Sequence, residues 1–218
     1  MITIACVLKT GGWKNRHINV EYHPRQVIWL RDQVARHVKC DYRFVCFSDV
    51  EIEGVEVIPL TDNLPGWWSK LELLKRDMGK VFYLDLDTVI IDDITHMVKY
   101  DHKFSVLRNL SSKAPGRIGS GIMAWNGDYS HIYRKFMESP EKYMAEYTTS
   151  DRWGDQSLIQ EFMNGKFEFF QDIFPAQMGS YKFDFAQGNP WRGTRIVIFH
   201  GQPKPWETAH EWVPKLPS

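Results

Sequence analysis

Lys80-Val81-Phe82-Tyr83-Leu84-Asp85-Leu86-Asp87-Thr88 decides how the chain is read. Val81 to Leu84 are apolar without alternation, which predicts a strand covered on both faces. Two carboxylates then terminate it. In open α/β sheets ligands bind beyond the carboxyl ends of strands, so Asp85 and Asp87 occupy a privileged position. Two aspartates separated by one residue can hold a hard divalent cation through oxygen ligands, leaving positions for water and phosphate oxygens. They can equally be solvated carboxylates that start a turn.

Upstream of this stretch, Pro65-Gly66 opens a predicted helix with Trp67, Leu71, Leu74 and Met78 on one face, closed by Gly79. Thr3–Leu8 is an apolar run ending in the turn Lys9-Thr10-Gly11-Gly12. A helix starts near Pro24, with Val27, Leu30, Val34 and Val38 at helical spacing, and strands follow at Tyr42–Ser48 and Val55–Leu60. Downstream, Leu110–Gly119 is rich in Ser, Gly and Pro and predicts a surface loop. Ser120–Trp125 reads as a strand, Tyr129–Met137 and Asp155–Asn164 as helices, and Arg195–Phe199 as a last buried strand. Strands alternating with helices imply an α/β protein: one domain with a mixed, mostly parallel sheet flanked by helices.

Composition excludes some partners. The 218 residues carry 27 Lys plus Arg against 27 Asp plus Glu, so no overall basic charge drives nonspecific nucleic-acid binding. The start Met1–Cys6 lacks a basic stretch before an apolar core, and no run of about 18 apolar residues occurs. A cytoplasmic protein without a transmembrane segment is therefore expected. Cys6, Cys40 and Cys46 lie in or beside apolar segments without Cys-x-x-Cys spacing and read as buried free thiols.

A second motif follows a second buried strand: Phe199-His200-Gly201-Gln202-Pro203-Lys204-Pro205-Trp206. His200 can ligate a metal, Gly201 allows a phosphate close to the backbone, and Lys204 supplies a positive charge on a loop stiffened by two prolines. A proline-rich turn with a packed Trp206 is the structural alternative.

The chain resembles the glycosyltransferase family 8 group, which includes glycogenin and bacterial lipopolysaccharide galactosyltransferases. Four islands carry the resemblance: Ser69-Lys70-Leu71 through Asp87, Ser120-Gly121-Ile122-Met123, Gly154-Asp155-Gln156, and Gly201 through Trp206. It implies a GT-A fold whose 1–110 half binds the nucleotide and whose 111–218 half takes the donor sugar and acceptor. It implies metal-dependent, retaining transfer of a hexose from a uridine diphosphate sugar to a glycan or other hydroxyl acceptor. It further implies that Asp85 and Asp87 hold manganese or magnesium, that Lys70 and Lys204 approach the donor phosphates, and that Ser120 belongs to the donor-sugar strand. Asp155 is then placed on the donor sugar and Gln156 near the reacting carbon.

Alternatives remain at several of these positions. Lys70 also reads as a snorkelling surface lysine, Asp155 as a helix N-cap, and Gln156 as an ordinary first-turn residue. Lys9 and Thr10 follow the first strand, where such folds receive the nucleotide, but a simple turn explains them too. The chain departs from the family pattern at two positions. Gly119 stands where the family has Asn, and Ile198 stands where it has the loop histidine. His200, two residues further on, is expected either to replace that histidine as third metal ligand or only to line the phosphate pocket. The loops Ser111–Gly119 and Gly179–Trp191 are the expected acceptor contacts. A nucleotidyltransferase making activated sugars and a catalytically silent carbohydrate-binding protein are the rival readings.

Overall fold

The computed structural model describes residues 1–11, 21–110, 116–149 and 151–217. In chain order the elements are β1 (Ile2–Leu8), α1 (Pro24–His37), β2 (Tyr42–Ser48), β3 (Glu56–Pro59), a 3-10 helix (Gly66–Leu74), β4 (Lys80–Leu84) and β5 (Thr88–Ile90). There follow α2 (Thr95–Lys99), β6 (Phe104–Arg108), β7 (Ile118–Asn126), α3 (Ser130–Met137), α4 (Pro140–Glu146) and α5 (Gly154–Met163). The chain continues through β8 (Glu168–Phe169), α6 (Phe170–Ile173), β9 (Met178–Ser180), a π-helical turn (Tyr181–Phe185) and β10 (Ile196–Ile198).

Seven strands form one sheet in the order β3-β2-β1-β4-β7-β6-β8, and three form a second in the order β5-β10-β9. In the large sheet β1–β2, β1–β4, β2–β3 and β6–β8 pair in parallel, whereas β7 runs antiparallel to both β4 and β6. The sheet is thus mixed and mostly parallel. Its central strands are buried on both faces, and the alternation of side chains sorts them. Phe82 and Leu84 enter the core under α1 with Ile4, Cys6 and Leu8, while Val81 and Tyr83 face the 3-10 helix, α3 and α5. The unbroken apolar run of β4 therefore reads as it does because both faces are covered. On α1 the stripe Val27, Leu30 and Val34 is fully buried against the sheet, as its spacing predicts.

The segment Gly66–Leu74 differs from expectation, being 3-10 rather than α-helical. A 3-10 helix repeats every three residues, so Trp68, Leu71 and Leu74 share the buried face. The expected face began one residue earlier, at Trp67. The tighter winding puts Trp68 in the core and leaves Trp67 half-buried at its edge. Gly179–Trp191, expected as a loop, contains the end of β9 and the π-helical turn. Of the expected loop Ser111–Gly119, residues 111–115 lie outside the described residues, as does Gly12 of the first turn, and Ile118 and Gly119 already belong to β7. All three cysteines are free; Cys6 and Cys46 are buried and Cys40 is half-buried. Among the described residues no helix is long and apolar enough to cross a membrane.

The two sheets meet where the carboxylates lie. β4 leaves the large sheet at Leu84, Asp85-Leu86-Asp87 crosses the junction, and β5 begins at Thr88. Within the small sheet β10 runs antiparallel to β5 with Ile198 opposite Thr88, which carries Phe199 and His200 onward beside Asp87. This register brings the late loop, 117 residues away in sequence, onto the aspartates.

Candidate active site

Above the junction lies a cavity of about 580 Å³. Lys9, Lys70, Asp85, Asp87, Ser120, Asp155, Gln156, His200, Gly201 and Lys204 all line it. Thr10 does not. Its backbone N–H and hydroxyl donate to Asp49 at 2.9 and 3.0 Å, and Lys9 Nζ pairs with the same carboxylate at 2.7 Å. These bonds from Lys9 and Thr10 hold the Asp49 carboxyl below its usual range against the opposing effect of burial. The turn after β1 is thus built around Asp49, and the Lys9 charge is neutralised there.

Asp85 is held at both ends. Its backbone N–H donates to the Gly121 carbonyl at 2.8 Å, continuing the β4–β7 ladder one step past Leu84. Its carboxylate accepts from the Tyr83 hydroxyl and from Lys70 Nζ at 2.9 Å. Burial raises the Asp85 pKa most, Lys70 opposes it, and the neighbouring Asp87 charge adds to the rise. Asp87 Oδ2 accepts from Lys204 Nζ at 2.5 Å and from the Tyr22 hydroxyl at 3.0 Å. Both members of the Lys204–Asp87 pair keep less than a tenth of their side-chain surface exposed. Burial and then the adjacent carboxylates push the Tyr22 and Tyr83 phenols well above their usual range, so both remain donors.

Lys70 is not a snorkelling surface lysine. Its ammonium lies inside the cavity, 2.9 Å from Asp85, 3.6 Å from Asp155 and 3.3 Å from Ser120 Oγ. Burial alone would lower its pKa, but the Asp155 and Asp85 carboxylates outweigh that and raise it. Asp155 is not the N-cap of α5 either. Trp153 takes that position without a side-chain cap, and Asp155 sits in the first turn, buried. Its Oδ2 is buried without a hydrogen-bond partner. The Lys70 ammonium at 3.6 Å supplies the charge that balances it there.

His200 lines the cavity, but its Nε2 is hydrogen-bonded to Ser180 Oγ at 2.7 Å and its ring lies against Phe183. Among the described residues no group of three His, Cys, Asp or Glu side chains converges as metal ligands. The expected addition of His200 to Asp85 and Asp87 is therefore not met in this geometry. Two residues along β10 from Ile198, the imidazole faces β9. The pair of aspartates does fit a hard dication by donor chemistry, and Gly121 leaves open the space beside Asp85, where a Cβ would come within 3.4 Å of Oδ2.

Tyr22, Tyr83 and Ser180 join the site without having been singled out by sequence. Tyr83 had a local signal, since it shares a strand face with Asp85 two residues on. Tyr22 reaches Asp87 across 65 residues, and no local pattern announces that.

The chain superposes on solved glycosyltransferases. Against the galactosyltransferase LgtC in complex with donor and acceptor sugar analogues the TM-score is 0.63 at 14% identity, covering 94% of this chain and 89% of that one. GlyE of Streptococcus pneumoniae TIGR4 gives 0.62 at 14% identity, covering 94% and 57%. The bifunctional glycosyltransferase WbbM gives 0.60 at 10% identity, covering 94% and 46%. This chain thus spans little more than half the length of GlyE and nearly nine-tenths of LgtC. No family model matches the chain, and no curated protein matches its sequence. With its seven-stranded mixed sheet, its appended small sheet and these superpositions, the chain has the GT-A fold of the glycosyltransferases.

Proposed function

We propose that this chain is a metal-dependent, retaining glycosyltransferase that moves a hexose from a uridine diphosphate sugar to a hydroxyl acceptor. The observation that carries the reading is the convergence, in one cavity, of Asp85 and Asp87 at the end of β4, Lys70 and the buried Lys204 paired to them, and Asp155 facing Lys70 at 3.6 Å. Lys70 and Lys204 supply fixed positive charge for a diphosphate, and Asp155 supplies an acceptor for a sugar hydroxyl. During transfer the bond from the anomeric carbon to the diphosphate breaks with its electron pair leaving on the diphosphate. The acceptor oxygen bonds that carbon, and its proton passes to the departing phosphate or to solvent. Manganese or magnesium bound by Asp85 and Asp87 would add charge stabilisation to the leaving diphosphate. Gln156, on the first turn of α5, is assigned to the space beside the anomeric carbon.

Release of uridine diphosphate from a donor sugar by the purified protein with manganese tests the reading. Asp87→Asn, which keeps size and removes the ligand charge, is expected to lower turnover at least about 100-fold with an unchanged circular dichroism spectrum. Full turnover of that variant, or full turnover in chelator, would sink the metal-dependent mechanism. The anomeric configuration of the product, read by NMR, checks retention.

A further inference from the structure

Asp85 and Asp87 are each held by one lysine and one tyrosine: Lys70 and Tyr83 on Asp85, Lys204 and Tyr22 on Asp87. The two phenols come from different places. Tyr83 precedes Asp85 by two residues on one strand face, but the residue two before Asp87 is Asp85 itself, so a second phenol has to come from elsewhere. Tyr22 supplies it from the residue before the N-cap of α1. Three contacts set its position. The next backbone N–H, of His23, donates to Gln26 Oε1 at 2.8 Å, and Gln26 is buried in the first turn of α1. The Trp206 ring meets the Tyr22 ring edge-on with centroids 6.0 Å apart, and meets the buried Trp29 of α1 in the same way at 5.9 Å. Lys204 Nζ lies 5.5 Å from the centroid of the Tyr22 ring, within cation–π range. The ring therefore joins α1 to the loop after β10, a purpose that a phenylalanine would serve equally.

The hydroxyl has a different partner. It donates to Asp87 Oδ2 at 3.0 Å, the oxygen that Lys204 also meets, and neither bond uses Oδ1. The carboxylate plane of an aspartate turns about a soft torsion, so donors fixed on one oxygen decide where the other points. Lys204 and Tyr22 are unequal in this task. An ammonium repels a dication and is drawn to phosphate oxygens, so its hold on Asp87 weakens once the site is filled. A neutral phenol carries no such conflict, and hydrogen-bond partners of metal-binding carboxylates orient them in this way. Within the metal-dependent reading, on which this inference rests, we infer that Tyr22 is a positioning residue: its hydroxyl orients Asp87 for the dication while its ring seats the Lys204 ammonium between Asp87 and the diphosphate.

Calorimetric titration of manganese alone into wild type and Tyr22→Phe is the first measurement. The variant keeps the ring and loses only the hydroxyl, and its manganese affinity should fall about tenfold, as loss of a hydrogen-bond partner of a metal-binding group implies. In donor turnover the manganese concentration giving half-maximal rate should rise by the same factor. Excess manganese should then restore kcat, a rescue that a merely structural defect does not show. Uridine diphosphate affinity at saturating manganese should move less than about twofold, because the ring under Lys204 remains. Tyr22→Leu removes ring and hydroxyl together and should weaken both ligands. Unchanged manganese affinity in Tyr22→Phe overturns the assignment, as does a loss of kcat that excess manganese leaves in place, or an equal loss of uridine diphosphate affinity. Unchanged uridine diphosphate affinity in Tyr22→Leu overturns the seat for Lys204. A wild type that binds no manganese overturns the metal-dependent reading, and the role of Tyr22 with it.

Discussion

His102 shows what burial does to a single titratable side chain in this molecule. It is 4% exposed, between the Met97 carbonyl at 2.9 Å from Nε2 and Ser105 Oγ at 2.7 Å from Nδ1. A carbonyl can only accept, so Nε2 carries the proton and Nδ1 accepts the serine hydroxyl. The neutral ring is thereby satisfied, and burial lowers its pKa below the usual histidine range. The unfolded chain takes up a proton near pH 6.5 that the folded chain refuses. The stability from this group is therefore present above about 6.5 and is lost as pH falls from there toward the folded pKa. His37 and His200, whose pKa values burial also lowers, act in the same direction. Thermal melts between pH 7.5 and 5.5 should show Tm falling with pH. His102→Gln should lower Tm at pH 7.5 and flatten that slope; a slope as steep as wild type would assign the dependence elsewhere. His102 could be picked out in the sequence as a histidine, but its partners depend on α2 and β6 packing together.

Among the elements, the helices make the sharpest contrast between pattern and packing. The stripe on α1 was readable because an α-helix of fourteen residues repeats its period several times. The 3-10 helix is ambiguous in sequence because an apolar segment of nine residues fits a period of three or of 3.6, and only contact with α3, α5 and the sheet chooses between them. The start of α5 depends on the same contact, since Gly154 has φ +58° and a Cβ there would come 2.8 Å from Trp67 Nε1. Gly154→Ala should destabilise by about 2–4 kcal/mol, combining left-handed backbone strain with displacement of Trp67. Urea unfolding measures it, and a change under about 0.5 kcal/mol, the ordinary range for a surface substitution, would show that the turn and the indole move apart freely.

Across the whole molecule the site is closed by the pair Lys204–Asp87, which ties the loop after β10 to the junction of the two sheets. Each carboxylate that would hold a dication already carries an ammonium, Lys70 on Asp85 and Lys204 on Asp87. Removing Lys204 should therefore act with opposite signs on two ligands. By calorimetry, Lys204→Ala should bind manganese alone about tenfold more tightly, having lost a competing charge-assisted bond, and bind uridine diphosphate about tenfold more weakly. Weaker binding of both would place Lys204 in support of the metal rather than in competition with it. The sequence by itself determined the α/β class, the central doubly buried strand, and the aspartates at its end, because burial and alternation are local patterns written in neighbouring residues. It also brought Lys70, Asp155 and Lys204 forward as candidates through the order of four short islands. Only the tertiary structure decided that Thr10 serves Asp49, that Tyr22 braces Asp87, that His200 turns to Ser180, and that Trp67 and not Trp68 reaches the cavity. Each of these is fixed by strand register or helical winding between segments far apart in the chain, and such contacts have no signature in the residues on either side.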